Sequence, residues 1–492
     1  MSAGERRLTR SSWLLAAITL LAAFLRFYDL SILPPGLYPD EAMNGNNALQ
    51  ALARNDFDVF YPENHGREGL FINIQALFLA MLGNQPWVLR LPSAVLGTLT
   101  VPGLYILGRE LFSRSTGLLA SFFLAAGFWH INFSRTGFRA ILAPFFLVWA
   151  VVFLVLALKE TRPARRIILA SLAGLLLGLG LHTYIAFRIM PLLLVVLVPL
   201  FMRDRKSAIS MATCLAAASI AALPLAVHFF KHPDHFVARS SQVSVFQSES
   251  PAVRLARNAL ETTGMFHVAG DRNWRHNHAG KPQLFLPVGI LFLVGIVTGL
   301  RDLRRVRPPA TGGSGFHPAL GIVLVFAWLV LAAVPVVLSD ENLPHALRSI
   351  LMIPPAFLLA GFGGVRLYRD SQRRIQGRWP AVVACIVLAA VAAHGYYGYF
   401  VSWGRSPRIA DAFNADYVTL GRHLNRLPVE PPKYVVVRAE GEMVNGLPMP
   451  SQTTMFITDT FRPERQQQKR IFYLLPEAEP AIPEGALTFY ID

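Results

Sequence analysis

Long apolar runs separated by polar segments dominate the pattern of hydrophobic and polar positions along the chain. A helix that crosses the hydrocarbon core of a membrane needs about 20 mostly apolar residues. Eleven stretches approach or reach that length: residues 12–30, 87–108, 115–132, 138–158, 166–182, 185–202, 207–230, 283–300, 317–338, 347–365 and 380–402. The pattern therefore predicts an all-α polytopic membrane protein with about eleven transmembrane helices.

Three longer polar segments interrupt this series, over residues 31–86, 231–282 and 403–492. In the last of them, prolines punctuate short strand-like runs at 434–437 and 471–475. We predict a membrane domain over residues 1–402, with the first two segments as its outward loops. Residues 403–492 are predicted to form a small mixed α/β domain outside the membrane.

The composition supports this interpretation, since 53% of the 492 residues are hydrophobic and 15% are charged. Soluble proteins carry about 25% charged residues, so a cytosolic enzyme and a disordered chain are excluded. The only two cysteines, Cys214 and Cys385, both lie in apolar runs. A disulfide framework and a cysteine-based metal site are therefore excluded as well.

The net charge of +16 is distributed unevenly among the loops. If the N-terminus is cytoplasmic, the inside segments hold 21 Lys and Arg residues, including those of 203–206 and 301–307, and the short outside loops hold only Arg135. Such asymmetry follows the positive-inside rule. We predict a multi-pass protein of the cytoplasmic (inner) membrane, with a cytoplasmic N-terminus and an extracytoplasmic C-terminus, and no nucleic-acid partner.

The first outward loop contains an acidic pair, Asp40–Glu41, directly after Pro39. Residues 41–54 suit a short helix, with Asp40 at its N-cap and Glu41 in its first turn. Leu70, Ile74, Leu77, Phe78 and Met81 follow at helical spacing and predict a second helix that lies along the membrane surface. An ordinary cap is one interpretation of the acidic pair. The other is a partly desolvated carboxylate that serves as a general base.

The runs Leu25–Leu30 and Gly36–Ala42 resemble the opening of the polyprenyl- or dolichyl-phosphate-sugar glycosyltransferases with the C-type membrane fold. Protein O-mannosyltransferases and the bacterial aminoarabinose transferases belong to this superfamily, and the resemblance covers roughly residues 12–400. It implies that Asp40 is the catalytic base, with Glu41 beside it.

Two further motifs are similar to those of the same superfamily. In His65–Leu70, Arg67 matches the basic position that points at the donor phosphate, and Glu68 is a second acidic contact. In Phe133–Pro144, which resembles an outward turn, Ala143 stands where some relatives carry an acid, so a metal or carboxylate role there is in doubt. Arg135 and Arg139 lie in that turn instead.

Other polar side chains fall at the outward ends of predicted spans: His182, Tyr184, Arg188, His345 and Arg348, the last two near Asp340–Glu341. We predict that several of the outward arginines converge on one cavity, because guanidinium groups match phosphate oxygens. The alternative for each arginine is contact with lipid headgroups or pairing with a nearby acid.

The second outward segment carries His232, His235, His267, His276 and His278. A zinc site drawn from His232, His276 and His278 matches no established ligand spacing, so we predict a solvated loop that covers the cavity and no metal site. No cofactor is required. A divalent cation stays an open alternative but is not demanded, because the arginines can neutralise the phosphate.

These features predict an inverting hexosyl- or pentosyltransferase that uses a polyprenyl-phosphate sugar, with a lipid, glycan or protein acceptor. One alternative is a flippase for lipid-linked precursors, although no internal repeat typical of transporters is evident. Another is a glycan ligase or polymerase.

Overall fold

A computed structural model describes residues 3–201, 204–242, 245–247, 250–305, 318–340 and 342–492. Arg203, Arg307 and Glu341 lie outside these residues. The α-helices, numbered in chain order, are α1 (Ala3–Phe27), α2 (Pro39–Arg54), α3 (Leu70–Leu82), α4 (Pro86–Leu111), α5 (Arg114–Ala126), α6 (Phe128–Ser134), α7 (Leu142–Lys159), α8 (Pro163–Gly180), α9 (Leu192–Phe201), α10 (Arg205–Lys231), α11 (Pro233–Gln242), α12 (Pro251–Gly264), α13 (Leu286–Arg305), α14 (Pro318–Val337), α15 (Ile353–Arg374), α16 (Trp379–Tyr396), α17 (Pro407–Ala412), α18 (Ala415–Arg426), α19 (Ser451–Thr458) and α20 (Pro463–Lys469).

The strands are short and fall in the first outward loop and near the C-terminus. They are β1 (Phe60–Tyr61), β2 (Arg67–Glu68), β3 (Lys433–Val437), β4 (Met443–Val444), β5 (Leu447–Pro448), β6 (Ile471–Leu474) and β7 (Leu487–Ile491). The prediction of a helical membrane protein with a small mixed C-terminal part is confirmed.

Among the described residues, eight helices are long and apolar enough to cross a membrane, and a bent pair makes nine. The predicted number of eleven is therefore not confirmed. The first and sixth predicted spans coincide with the apolar stretches Ser11–Phe27 and Ile185–Val196, which are shorter than 18 residues. The third predicted span is broken by a 60° bend between α5 and α6. Gly127 lies at this break in an extended conformation, and a Cβ there would meet the Phe357 ring at 2.7 Å.

Small residues let the membrane helices pack closely, as is common where lipid supplies no hydrophobic driving force between helices. A Cβ at Gly174 or Gly178 of α8 would collide with the backbone carbonyls of Cys214 and Ala218 on α10. A Cβ at Gly295 of α13 would likewise collide with the backbone of Leu359 on α15. These contacts fix the helix spacing below the outward segments.

Buried tryptophans tie the outward segments to the helix bundle. Trp129 donates its indole N–H to the carbonyl oxygen of Ala346 at 3.0 Å, and Trp403 donates to that of Trp274 at 2.8 Å. Both indoles are fully buried. Because a buried N–H must be paired, each bond fixes one outward turn relative to the bundle.

The first outward loop folds into α2, the antiparallel hairpin β1–β2, and α3. Helix α2 begins earlier than predicted: Tyr38 is its N-cap and Pro39 its first residue, so the expected N-cap at Asp40 is wrong. Helix α3 packs on the protein through a face different from the predicted apolar stripe. Phe71, Ile72, Gln75, Ala76 and Leu79 are buried, whereas Leu77 and Met81 are exposed, an arrangement that suits a membrane surface.

The C-terminal residues form a three-stranded parallel sheet in the order β6–β3–β7, with helices beside it. Helix α19 packs on α2. Asn46 donates to the carbonyl oxygen of Gln452 at 3.1 Å, and Thr453 donates to that of Leu37 at 2.9 Å. A Cβ at Gly45 would lie 2.5 Å from the Phe456 ring. The C-terminal segment therefore supports the helix on which Asp40 lies.

Candidate active site

A cavity of about 570 Å³ opens where the first outward loop, the 271–276 segment and several helix ends meet. Six of the eleven residues singled out in the sequence line it: Asp40, Arg139, Tyr184, Arg188, His345 and Arg348. The structure thus brings together side chains from segments that are more than 300 positions apart in the chain.

Asp40 lies in the first turn of α2 and is half-buried. Its Oδ1 accepts a hydrogen bond from the Asn64 side chain at 2.8 Å. Helix α2 and this hydrogen bond together fix the direction in which the carboxyl group points, and the side chain lines the cavity.

Glu41 is fully buried and is not one of the cavity-lining residues. Its Oε1 accepts hydrogen bonds from Arg90 Nε at 3.0 Å and from the Gly137 backbone N–H at 2.6 Å, and its Oε2 accepts from Arg90 Nη2 at 3.2 Å. Arg90 also donates to the carbonyl oxygens of Pro34 and Gly36. Glu41 and Arg90 thereby lock the entry to α2 against the turn at Gly137.

Arg67 is buried beside α2 and does not line the cavity. It donates to the side-chain oxygens of Asn44 at 2.8 Å and Asn47 at 2.7 Å, and it pairs with Glu63. Burial lowers the pKa of Arg67 to about 10, so the guanidinium stays charged at neutral pH. In this arrangement Arg67 fastens the β1–β2 hairpin to α2.

Glu68 joins two of the cavity arginines. Its Oε2 lies 3.2 Å from Arg139 Nε and its Oε1 lies 3.4 Å from Arg188 Nη2. Glu68 itself is 2% exposed. Arg188 is further fixed by donating to the Phe236 carbonyl oxygen at 2.8 Å, and Arg139 lies over the Tyr184 ring. One buried acid thus orients two guanidinium groups while compensating only part of their charge.

Arg275, which the sequence motifs did not indicate, also lines the cavity. Its guanidinium carbon lies 3.7 Å from the centroid of the Tyr38 ring. Its backbone and Nε both donate to Asn273 Oδ1. Burial lowers the pKa of Arg275 to about 10, so it too remains a cation at neutral pH. Arg348, 8% exposed, supplies another cationic group to the cavity wall.

Arg135 and His182 are not brought to the cavity. Arg135 is fully buried, donates to the carbonyl oxygens of Leu25 and Leu33, and lies over the Tyr399 ring at 5.0 Å. His182 is hydrogen-bonded to the Ala221 carbonyl oxygen at 2.9 Å. Both side chains are thus held by backbone carbonyl oxygens away from the cavity.

The cavity also contains Asp271 and His276, which the sequence analysis did not single out as a pair. Together with His345 they form a group whose ligand-type atoms lie within 4.8 Å of one another. His232 and His278 do not join it. His232 stacks against His228 and His235, and His278 is hydrogen-bonded to Ser402.

Residues 70–229 match the family model described as dolichyl-phosphate-mannose-protein mannosyltransferase. ArnT from Cupriavidus metallidurans bound to undecaprenyl phosphate is 15% identical, with a TM-score of 0.57, over 94% of this chain and 89% of that one. Its apo form gives a TM-score of 0.58 at 15% identity, over 96% and 94%. No curated protein sequence matches.

An oligosaccharyltransferase from Archaeoglobus fulgidus, tethered with an acceptor peptide, is 12% identical with a TM-score of 0.55. The match covers 94% of this chain and 63% of that protein, so this chain spans less than two thirds of it. These likenesses show that the chain has the fold of these solved membrane proteins, which is the fold that the sequence motifs predicted.

Proposed function

We propose that the protein moves one sugar from a polyprenyl-phosphate donor to an acceptor on the outer face of the cytoplasmic membrane, with inversion at the anomeric carbon. The observation that carries this proposal is a single cavity that contains the Asp40 carboxylate together with Arg139, Arg188, Arg275 and Arg348. A base and a cluster of cations are what this displacement needs.

In the proposed step, Asp40 takes the proton from an acceptor hydroxyl or amine as the acceptor attacks the anomeric carbon. The bond between that carbon and the phosphate oxygen breaks on the opposite face. The polyprenyl phosphate leaves with its electron pair, and the guanidinium groups stabilise the negative charge that develops.

The remaining predicted residues receive positioning roles in this proposal. Glu41 and Arg67 hold α2 in place through buried contacts. Glu68 orients Arg139 and Arg188. The undecaprenyl phosphate bound by one structural neighbour supports a lipid phosphate as the ligand class. Residues 403–492 act as a brace for α2, and we retain the predicted cytoplasmic N-terminus and extracytoplasmic C-terminus.

The test is Asp40→Asn in the purified full-length protein, assayed with a panel of radiolabelled polyprenyl-phosphate hexoses and pentoses and with native membranes as acceptor. Transfer should fall at least 100-fold, whereas undecaprenyl phosphate binding changes less than threefold. Asp56→Asn, at an exposed position of the same loop, is the matched control and should retain activity.

Near wild-type transfer by Asp40→Asn would show that Asp40 is not the base. A flippase is distinguished in the same assay, because transfer produces a labelled glycoconjugate, whereas transport only moves the labelled donor across the bilayer.

A further inference from the structure

We propose that Asp271, His276 and His345 bind a divalent transition-metal ion at the edge of the cavity. The ion keeps one coordination position open towards the cavity and accepts there an anionic phosphate oxygen. The metal site rests on these three residues alone, and the phosphate contact rests also on the proposed function.

The distances between the three side chains suit a metal site. His276 Nδ1 lies 3.1 Å and His345 Nδ1 lies 3.9 Å from Asp271 Oδ2, and the centroids of the two rings are 4.8 Å apart. Two ligand atoms at about 2.1 Å from a tetrahedral ion lie about 3.4 Å apart. The two separations from Asp271 Oδ2 bracket this value, and all three ligand atoms lie within 4.8 Å of one another. Side-chain movements that close the widest separation are enough to coordinate an ion.

The carboxylate of Asp271 is held in place before any ion binds. Its Oδ1 accepts from the Asn273 backbone N–H at 2.7 Å, and its Oδ2 accepts from the Ala346 backbone N–H at 2.8 Å. Asp271 is 3% exposed. Within the part of the chain that the structure describes, its ion-pair partners are these two histidines and no Lys or Arg. The carboxylate and the two imidazoles therefore offer three converging ligand atoms to a cation.

The ligand set indicates which ion binds. Two imidazole nitrogens and one carboxylate oxygen suit Zn²⁺, Co²⁺ or Mn²⁺, whereas Mg²⁺ and Ca²⁺ prefer oxygen ligands alone. Three protein ligands with one open position are typical of zinc sites that act on a substrate. All three residues line the cavity that Asp40 and Arg275 share, so the open position faces the space proposed for the phosphate.

The competing interpretation is a structural clasp, in which the same contacts only tie the 271–276 segment to the turn at Ala346. The two interpretations differ in whether a stoichiometric ion binds, and this is measured without any sugar donor.

The experiment uses the full chain in detergent, stripped of metal with a chelator and titrated with Zn²⁺ by calorimetry and with Co²⁺ by visible absorption. One Zn²⁺ per chain is expected, together with a Co²⁺ d–d spectrum. His276→Gln and His345→Gln should each weaken Zn²⁺ binding at least tenfold. The control is His278→Gln, two residues from His276 and outside the cluster, which should bind as the wild type does.

The absence of bound Zn²⁺ and Co²⁺, or equal binding by all four proteins, would overturn the metal site. Should one histidine variant not fold, the other variant and the Co²⁺ spectrum of the wild type still decide the question. If Zn²⁺ binds but does not strengthen undecaprenyl phosphate binding at least tenfold over the stripped protein, the phosphate contact is overturned. Inorganic phosphate as a second probe shows whether the headgroup alone is sufficient.

These outcomes are separable from the proposed function. Bound Zn²⁺ with full transfer by Asp40→Asn would retain the metal site and reject the base. If no metal binds and Asp40→Asn loses transfer, the metal site is rejected and the base assignment is retained.

Discussion

Replacing Glu41 by Gln distinguishes a positioning role for Glu41 from a catalytic one. The wild-type carboxylate accepts four hydrogen bonds: two from Arg90, one from the Gly137 N–H and one from the Tyr38 N–H. An amide keeps one acceptor oxygen and turns its NH₂ group towards a donor. Arg90, 1% exposed, is then a buried cation without a counterion.

Breaking a buried ion pair in this way costs about 3–5 kcal/mol of the free energy of unfolding. Reversible unfolding of the purified variant, or its thermal midpoint in detergent, measures the loss. The double variant Glu41→Gln/Arg90→Gln should lose less than the sum of the two single variants, because the unpaired charge is gone. A loss below about 1 kcal/mol, as for an exposed pair, with transfer abolished in the folded protein, would refute the positioning role and return Glu41 to catalysis.

Three further predictions concern the cavity and its support. Glu68→Gln removes the acid that orients Arg139 and Arg188. The donor KM should therefore rise about tenfold, equivalent to about 1.4 kcal/mol, with a smaller change in kcat. An unchanged KM would contradict this role for Glu68. Gly45→Ala overpacks α2 against Phe456 and should cost about 1–3 kcal/mol of stability, and Phe456→Leu should restore part of it. Arg139→Lys should raise the donor KM without lowering the thermal midpoint, whereas Arg135→Lys should lower the thermal midpoint without raising the KM. Equal effects of the two variants on KM would place both arginines in the same role.

The sequence predicted those parts of the fold that depend on local pattern. Apolar runs predict helices because the hydrocarbon core requires every backbone group to be paired within its own segment. The helix after Pro39 was predicted for a similarly local reason, since Asp40 and Glu41 suit the N-cap and first turn of a helix. The start of α2 was misplaced by assigning the cap to the acid, when Tyr38 occupies that position.

Features that depend on contacts between distant segments were not predictable. At the bend, the Phe357 ring of α15 packs against the place that a Cβ on Gly127 would occupy. Arg135 and Arg139 lie four positions apart in one motif. Arg135 nevertheless donates to backbone carbonyl oxygens, whereas Arg139 lines the cavity. Only the three-dimensional arrangement tells such arginines apart.

The group formed by Asp271, His276 and His345 was not predicted either, because it joins distant segments of the chain. His276 was considered as a metal ligand together with His232 and His278, whereas its actual neighbours are Asp271 and, almost 70 positions later, His345. A single acidic residue in a polar loop carries no signal of such a group, because the pairing arises only when the turn before α15 folds over the 271–276 segment.

A structure of the protein with undecaprenyl phosphate bound tests the proposed site most directly. We expect the phosphate within hydrogen-bonding distance of at least two of Arg139, Arg188, Arg275 and Arg348, on the side of the cavity that Asp40 faces. A phosphate bound elsewhere on the helix bundle, with Asp40 turned away from it, would show that the cavity is not the donor site.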